Sequence, residues 1–362
     1  MSKKNVCFLC GNIYGTGGTE KIVSIITSEL MKKKKYNIFI LSSRKDRDKT
    51  FFKIDNDIKI DTVKRNPKIY HKINYILNIP KIRKYMKRNN IDIVIDVDLI
   101  SDIVVIPAIL GLKTKLISWE NFNLEENLKS FRRKIAVKMA VKFSDYIVTL
   151  TEKDMINYIN VAKRKNRITY ICNPIEKKDY KCADLNSKQI ISVGKLLPIK
   201  GYDLLLNVAK NVLNVHPDWK WIILGDGPQK EEIEKEIVES KLQGKLLLMG
   251  AVENVDKYYE KSSIFVLPSK NEGFGIVLLE AKMHRLPIVC FDIETGARDL
   301  VTDGVNGNLI KKYNINEMTK KINILIENKK LREEYSKNAL LNLEKYDLKE
   351  IIHKWEDLLD SI

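Results

Sequence analysis

Residues 264–291, "IFVLPSKNEGFGIVLLEAKMHRLPIVCF", contain one complete strand–helix–strand unit and indicate the fold of the chain. The apolar runs "IFVLP" and "PIVCF" are typical of buried strands, and the residues between them predict a helix over 275–284. This order favours two parallel strands with the helix packed across them. The segment therefore predicts an α/β fold built on a parallel sheet.

The same alternation of short apolar runs and helical patterns extends through almost the whole chain. Helical patterns also cover 19–31, 70–88, 128–142, 202–214, 229–240 and 254–261. A polar, proline-containing stretch at 173–188 interrupts the alternation once. We therefore predict two doubly wound, Rossmann-like domains, residues 1–172 and 173–345, with a helix at about 346–362 that packs back on the first domain.

The length and composition of the chain indicate what class of protein it is. A chain of 362 residues is longer than one hydrophobic core usually stabilises, which favours two domains. It has no long uncharged apolar run, and its N-terminus has too short an apolar stretch for a signal peptide, so we expect a cytoplasmic protein. The 5 cysteines are scattered, and the 4 histidines are not at metal-ligand spacing, so no metal site is expected.

Charge is unevenly distributed along the chain. Residues 1–172 carry 35 Lys and Arg against 17 Asp and Glu, whereas residues 173–362 carry 29 against 30. Part of the excess of basic residues in the first domain lies in residues 68–88, "KIYHKINYILNIPKIRKYMKR", which are both amphipathic and basic. A helix that covers the sheet with a solvated outer face has the same pattern, and Pro80 should break or kink it. The asymmetry predicts an anionic partner for the first domain.

Two carboxylates, Glu272 and Glu280, flank the start of the helix predicted for 275–284. A buried carboxylate needs a partner, and an internal salt bridge, a position at the solvent edge or a ligand would each provide one. Glycine and charge recur in the loops after the predicted strands, where open α/β sheets bind ligands. A dinucleotide fingerprint is not met, because Glu20 stands where "GTGGTEK" would need glycine, so an NAD-dependent enzyme is disfavoured.

Four stretches, in this order, resemble the GT-B glycosyltransferases of family 4: "SVGKLLPIKGYDLLL", "ILGDGP", "MGAVENVDKYYEKSSIFVLPSKNEGFGIVLLEA" and "GVNGNLI". Glu272 and Glu280 match the family's E-x7-E pair. The family is retaining and metal-independent, uses nucleotide-sugar donors, and includes bacterial transferases that assemble capsules, lipopolysaccharides and other glycans. The resemblance covers nearly the whole chain. It implies the GT-B fold, with a cleft between two Rossmann-like domains, and no cofactor, since the nucleotide-sugar is a substrate.

The resemblance also implies the roles of individual residues. Glu280 would accept hydrogen bonds from the ribose hydroxyls of the donor, and Glu272 would contact the hydroxyls of the transferred sugar. Lys195 and Lys200 would stabilise the departing diphosphate. The remaining donor-binding residues would be Gly17, Gly18, Asn173, Val252, Gly273, Phe274 and Gly275. For Asn173, which precedes a proline, a simple turn is the alternative.

One position departs from the family pattern. In "ISWENFN", Asn121 stands where relatives often carry histidine near the reacting sugar. An amide does not take up a proton at neutral pH, so Asn121 is a catalytic candidate by position and not as a general base. Retaining relatives are thought to use the departing phosphate itself to accept the proton. Glu120 is the nearest alternative acid, or else it orients the loop.

These observations predict a retaining glycosyltransferase that moves a hexosyl or N-acetylhexosaminyl group from a nucleoside-diphosphate sugar, with UDP favoured, to a growing, lipid-linked glycan. Because lipid-linked acceptors lie at an anionic leaflet, we expect peripheral attachment of the basic first domain to the inner face of the cytoplasmic membrane. Two alternatives stay open: another GT-B enzyme, such as an epimerase or phosphorylase, and a polyanion-binding module using Tyr70, Tyr75 and Tyr85. Nucleic acid is not the expected partner, because that hypothesis leaves the paired glutamates unexplained.

Overall fold

A computed structural model of the chain describes residues 3–63, 71–163, 167–176 and 178–362, with the backbone alone over 71–76. The chain divides into two compact units. The first unit comprises residues 1–176 and 345–362, and the second comprises residues 177–344. The division falls a few residues after the boundary drawn from the sequence.

The first unit is built on a parallel sheet. Its strands are β1 (Lys4–Cys10), β2 (Tyr36–Ser42), β3 (Lys59–Thr62), β4 (Ile93–Val97), β5 (Lys115–Trp119), β6 (Tyr146–Thr149) and β7 (Ile168–Tyr170). Their spatial order in the described residues is β3-β2-β1-β4-β5-β6-β7, so the order reverses between β1 and β4. The registers are parallel throughout, with Leu9 of β1 opposite both Leu41 and Asp96.

The second unit repeats this topology. Its strands are β8 (Gln189–Val193), β9 (Lys220–Leu224), β10 (Leu246–Leu248), β11 (Ile264–Leu267), β12 (Ile288–Phe291) and β13 (Gly307–Ile310). The described strands are all parallel in the order β10-β9-β8-β11-β12-β13, and the order reverses between β8 and β11. The predicted fold class, two doubly wound Rossmann-like domains, is confirmed.

Helices cover both sheets. Those of the first unit are α1 (Gly18–Lys32), α2 (His71–Arg88), α3 (Asp102–Ile109), α4 (Leu124–Asn127), α5 (Phe131–Phe143), α6 (Glu152–Ala162) and α14 (Leu348–Asp360). Those of the second unit are α7 (Tyr202–Val215), α8 (Lys230–Glu239), α9 (Asp256–Glu260), α10 (Ile276–Met283), α11 (Ala297–Leu300), α12 (Ile315–Glu327) and α13 (Lys329–Lys337). None of the helices in the described parts of the chain combines the length and the apolar composition that crossing a membrane requires.

Helix α2 contains residues 71–88 of the basic segment, and it is not broken at Pro80; residues 68–70 lie outside the described residues. Proline removes one backbone donor from a helix. Here Pro80 is exposed, so the carbonyl that loses its donor can be hydrated instead. The inner side of α2 presents Ile82 and Met86 to the core between the helix layer and the sheet. Tyr85 also packs against this core, whereas Tyr70 and the side chain of Tyr75 lie outside the described residues.

The C-terminal helix α14 belongs to the first unit, as the apolar residues on one of its faces require. Trp355 is fully buried, with its ring 5.0 Å from that of Trp119 and 6.5 Å from that of Phe8. At its end, Asp360 Oδ1 accepts a hydrogen bond from the Tyr36 hydroxyl at 2.7 Å. The apolar face of the amphipathic helix α14 therefore packs against side chains of the strands of the first unit.

Two carboxyl groups, Asp96 on β4 and Asp102 on α3, are completely buried in the first unit. Asp102 Oδ2 accepts a hydrogen bond from Ser118 Oγ at 2.6 Å. No N–H or hydroxyl group of the described residues donates to Asp96, whose carboxyl group faces that of Asp102. Burial, and then the neighbouring Asp102, raises the pKa of Asp96, and burial raises the pKa of Asp102. Both groups therefore retain protons in the folded protein at pH values where an exposed aspartate has lost them.

This pair predicts that the first unit loses stability as the pH rises above about 4, where the unfolded chain releases protons that the folded chain keeps. Asp96→Asn removes part of that dependence. When the pH is raised from about 5 to about 8, the free energy of unfolding of the parent chain should fall by about 1–3 kcal/mol more than that of the variant. Urea titrations at both pH values measure it, with Asp48→Asn, a fully exposed carboxyl, as the control. A difference independent of pH would contradict the prediction.

Candidate active site

The topology of the second unit brings two loops together at the carboxyl edge of its sheet. The strands β8 and β11 are neighbours where the strand order reverses, which is where open α/β sheets bind ligands. Lys195 and Lys200 lie in the loop after β8, and Glu272 lies in the loop after β11. Residues far apart in sequence thus meet at one point of the sheet.

Lys200 and Glu272 form an ion pair at this point. Lys200 Nζ lies 2.7 Å from both carboxylate oxygens of Glu272. The Glu272 side chain is only 7% exposed and that of Lys200 is 23% exposed, so solvent screens the pair weakly. The sequence assigned these residues to different parts of the donor and did not predict that they contact each other.

The backbone around the pair fixes its geometry. Lys200 ends a short 3₁₀ turn, and Gly201 follows with φ 71°. A Cβ atom at Gly201 would lie 2.1 Å from the carbonyl oxygen of Pro268, so only glycine fits between the two loops. The Lys270 N–H donates to the Ile199 carbonyl at 2.8 Å and joins the loops a second time. The two charged side chains are therefore held by backbone contacts as well as by their attraction.

The loop after β11 leads directly into the start of α10. Phe274 is buried, Gly273 is half-buried, and Gly275 has φ 81°, a left-handed conformation that favours glycine. Gly275 offers no capping side chain to the N–H groups of the first turn. The hydroxyl of Thr295, in the loop after β12, donates to the Glu272 carbonyl. The uncapped start of α10, close to the Lys200 ammonium, favours an anion here.

Glu280 lies on α10, in the second turn of the helix. Its side chain is half-buried, and its Oε2 accepts a hydrogen bond from the hydroxyl of Tyr259 at 3.0 Å. The sequence offered an ion pair, the solvent edge or a ligand as its partner. In the structure, the Glu280 side chain is partly exposed to solvent and also accepts a hydrogen bond from a buried tyrosine hydroxyl. The protein itself therefore provides one partner for this carboxylate.

The other predicted donor-binding residues are divided between the units. Gly17 and Gly18 form the start of α1, directly after β1, and no side chain caps that helix. Asn173 also belongs to the first unit; it is 2% exposed, and its Oδ1 has no hydrogen-bond partner among the residues described. Val252 is half-buried in the loop after β10, and Lys195 is exposed beside β8. The predicted donor-binding residues thus lie beyond strand ends of both sheets.

Asn121 follows β5, at the carboxyl edge of the first sheet. It is half-buried, and its amide donates to the Trp119 carbonyl at 3.3 Å. Glu120 is completely buried and accepts hydrogen bonds from the Phe122 N–H at 2.8 Å and the Tyr158 hydroxyl at 2.6 Å. Its other donor is the amide of Asn127. Glu120 therefore orients the loop, as one of its two sequence interpretations proposed.

Comparison with known proteins identifies the family. Residues 176–341 match the family model described as "Glycosyl transferases group 1". A Haemophilus influenzae protein described as an uncharacterized glycosyltransferase is 33% identical over 358 residues, 98% of this chain and 100% of the relative. The chain belongs to the glycosyltransferases.

The chain is also similar to a second curated glycosyltransferase and to a solved structure. A Campylobacter jejuni relative is 25% identical over 351 residues, with 96% of both chains covered. It is described as a "GalNAc-alpha-(1->4)-GalNAc-alpha-(1->3)-diNAcBac-PP-undecaprenol alpha-1,4-N-acetyl-D-galactosaminyltransferase". The fold matches that of an S. aureus TarM mutant, crystallised with fondaparinux, alpha-GlcNAc-glycerol and UDP, with a TM-score of 0.84 over 99% of this chain and 100% of that one, at 19% identity. The glycosyltransferase therefore has the GT-B fold.

One charged group at the edge of the first sheet of the glycosyltransferase was not predicted from the sequence. Asp98, directly after β4, has φ 124° and ψ 103°, a strained conformation for a residue with a Cβ. Both of its carboxylate oxygens lie 3.2 Å from the Arg133 guanidinium, which also lies over the ring of Phe122 at 4.3 Å. The sequence signal was an acid immediately after a buried strand, but its arginine partner lies on a helix 35 residues later.

The ion pair at the second sheet generates a prediction about two lysines. Lys200→Ala removes the cation beside a nearly buried carboxylate and should lower the free energy of unfolding by about 2–4 kcal/mol. Lys195→Ala, at an exposed position, should change it by less than about 0.5 kcal/mol. Both variants should lose transferase activity, because the family resemblance predicts that both lysines stabilise the departing diphosphate.

Denaturant titration and initial-rate kinetics on the same preparations measure the two effects. Adding Glu272→Gln to Lys200→Ala should restore most of the lost stability, since the uncompensated charge is then gone. Equal stability of the two single lysine variants would show that the ion pair is energetically unimportant.

Proposed function

We propose that the chain transfers a sugar from a UDP-sugar, with retention of anomeric configuration, to a growing, lipid-linked glycan at the cytoplasmic face of the membrane. The proposal is carried by the arrangement of Lys200, Glu272 and Glu280 at the carboxyl edge of the second sheet. A cation, a fixed carboxylate and the free start of a helix are the groups that a sugar diphosphate needs.

In the proposed donor complex, each of these groups contacts a different part of the nucleotide-sugar. Glu280 accepts hydrogen bonds from the ribose hydroxyls, and Glu272 accepts them from the hydroxyls of the transferred sugar. The backbone from Gly273 to Gly275 and the start of α10 donate to the sugar and the diphosphate. Lys195 and Lys200 neutralise the charge that develops as the bond to the anomeric carbon breaks.

Four other residues complete the proposed donor site. Val252 flanks the base in the loop after β10. Gly17 and Gly18 bring backbone N–H groups and the N-terminus of α1 to the phosphates. Asn173 contributes an amide whose buried Oδ1 lacks a partner among the described residues, which supports a ligand-facing role over that of a simple turn.

The proposed transfer needs no protein base. The bond from the anomeric carbon to the diphosphate oxygen breaks, and the acceptor hydroxyl bonds to the same face of the sugar while its proton passes to the departing phosphate. Asn121 then serves to position the acceptor, since its amide takes no proton. We do not propose Glu120 as the base, since it is completely buried and both of its oxygens already accept hydrogen bonds.

Two comparisons support the finer parts of this proposal. UDP is bound in the TarM structure that shares the fold, and the Campylobacter relative is described by an undecaprenol-linked acceptor. We propose UDP as the nucleotide and a hexosyl or N-acetylhexosaminyl group as the transferred sugar. We propose the growing glycan on a lipid carrier as the acceptor.

The division of roles between the two glutamates predicts different kinetic defects. Glu280→Gln should raise the Kd for UDP and the KM for the donor, because its contact with ribose exists in both ground and transition states. Glu272→Gln should mainly lower kcat, since it contacts the sugar that reacts. Calorimetric titration with UDP and initial rates of UDP release measure both constants. Identical effects of the two substitutions on both constants would refute this division.

The lysines and helix termini replace a metal ion in the proposed mechanism. Among the residues that the structure describes, no group of three or more His, Cys, Asp and Glu side chains could hold a metal ion. Transfer should therefore continue at an undiminished rate in excess EDTA, because the fixed cations already neutralise the leaving group. Loss of activity on chelation that Mg²⁺ or Mn²⁺ restores would contradict this part of the proposal.

We also propose peripheral attachment of the first unit to an anionic membrane. A surface concavity of about 500 Å³ on α2 is lined by Pro80, Arg83, Lys84, Lys87 and Arg88. Helix α3 packs beside α2, and α5 packs beside α3, so the three helices form one layer. On α5, Phe131 is 78% exposed and Ile135 is 36% exposed, among exposed lysines. Basic and exposed apolar residues on one face favour a lipid surface.

Vesicle co-sedimentation tests the membrane proposal. Binding should require anionic lipid and fall as salt is added, because each cation near the surface contributes about 1 kcal/mol that salt screens. It should weaken when Lys81, Lys84, Lys87 and Arg88 are replaced by Gln; Arg83 is kept because it donates to the carbonyls of Ala108 and Leu110. The matched control replaces four exposed basic residues of the second unit, all lysines: Lys230, Lys235, Lys241 and Lys257. Equal binding to neutral vesicles, or equal weakening by the control, would refute the proposal.

A further inference from the structure

Tyr259 contacts Glu280 from outside α10 and belongs to the same unit. It lies on α9 and is completely buried, and its hydroxyl donates to Glu280 Oε2 at 3.0 Å. Its ring stacks on the imidazole of His284, with the ring centroids 5.1 Å apart and the planes inclined by 22°. Phe265 of β11 contacts the ring from another side at 6.0 Å. The hydroxyl is therefore held at a fixed position beside the carboxylate.

His284 is itself fixed at both ring nitrogens. It is 1% exposed; its Nδ1 lies 2.8 Å from the Lys181 carbonyl oxygen, and its Nε2 lies 2.9 Å from Asp256 Oδ1. A carbonyl oxygen only accepts hydrogen bonds, so Nδ1 carries a proton. The hydrogen bond from His284, together with the Lys178 ammonium, holds the pKa of Asp256 well below its usual range. Asp256 is therefore an accepting carboxylate, and Nε2 donates as well.

The groups around His284 complete a small cluster. Lys178 Nζ lies 2.7 and 2.9 Å from the two oxygens of Asp256. The ring of Tyr180 meets the imidazole edge-on at 5.3 Å, and Lys178 lies over that ring at 4.9 Å. On α10, the His284 N–H donates to the Glu280 carbonyl at 3.1 Å. The cluster thus joins the segment before β8, the start of α9 and the end of α10 behind Glu280.

We infer that Tyr259 is a positioning residue that orients the Glu280 carboxylate for the ribose hydroxyls of the donor, and that His284 and Asp256 hold Tyr259 in place. The inference rests on the proposed function, in which Glu280 binds ribose. A glutamate side chain rotates about several bonds, and ordering it on binding costs entropy. A fixed donor at one oxygen restricts that rotation before the nucleotide arrives, which increases affinity without adding a contact to the ligand.

Tyr259→Phe tests the inference, because it removes the hydroxyl and keeps the ring that stacks on His284. The Kd for UDP and the KM for the donor should rise about fivefold to tenfold, while kcat changes less than about twofold. The matched control is Tyr335→Phe in the same unit, which removes a buried hydroxyl 3.2 Å from the Asn308 amide and should leave both constants unchanged. If the Tyr259 hydroxyl only stabilises the fold, both variants should have a lower unfolding midpoint, and Tyr259→Phe should not raise KM while leaving kcat unchanged.

A double-mutant cycle with Glu280→Gln separates this inference from the proposed function. In the Glu280→Gln background, Tyr259→Phe should raise the Kd for UDP by less than about twofold, because the carboxylate that it orients is gone. Full multiplication of the two effects, or an unchanged Kd in Tyr259→Phe while Glu280→Gln binds weakly, would overturn the positioning role. Unchanged UDP binding in Glu280→Gln would instead refute the proposed role of Glu280 itself.

Discussion

The ion pair between Lys200 and Glu272 is the contact on which the candidate donor site depends. A carboxylate that is 7% exposed is unfavourable without a cation, and the loop after β8 supplies one at 2.7 Å. The approach of the two loops in turn requires a glycine at 201, where any side chain would collide with Pro268. The need of Glu272 for a cation and the lack of space for a side chain at position 201 thus constrain the same two loops. The start of α10, which immediately follows Glu272, is positioned by the same contacts.

The two units use charge in different ways. In the second unit, charged groups near the site are joined to one another: Lys200 to Glu272, and Lys178 and His284 to Asp256. In the first unit, most of the basic side chains that are described on α2 and α5 are exposed, and the acids Asp96 and Asp102 are buried in the core. Paired charges suit a site that recognises one small ligand, whereas a face of exposed cations suits an extended anionic surface.

Much of the fold could be predicted from the sequence because central strands of a parallel sheet are buried on both faces and appear as continuous apolar runs. The helices predicted for 19–31, 202–214 and 275–284 lie within one or two residues of α1, α7 and α10. The short edge strands β3 and β7 were not predicted, since neither has a long apolar run. A break at Pro80 was one predicted outcome, and the helix continues there because the proline faces solvent.

The candidate site was predictable as a set of residues but not as a set of contacts. The resemblance to the glycosyltransferase family located Lys195, Lys200, Glu272 and Glu280. Their partners depend on strand order and register, which a single sequence does not reveal. Tyr259 contacts Glu280 from 21 residues away, and Lys200 contacts Glu272 across 72 residues.

The thermal stability of the parent chain in the presence of nucleotides tests the central claim most directly. A ligand that binds only the folded protein stabilises it by about 2.7 kcal/mol at a concentration of about 100 times its Kd. If the carboxyl edge of the second sheet binds the donor nucleotide, UDP should raise the unfolding temperature more than GDP or ADP, and without added metal. An unfolding temperature that none of the three nucleotides changes at millimolar concentration would contradict the account.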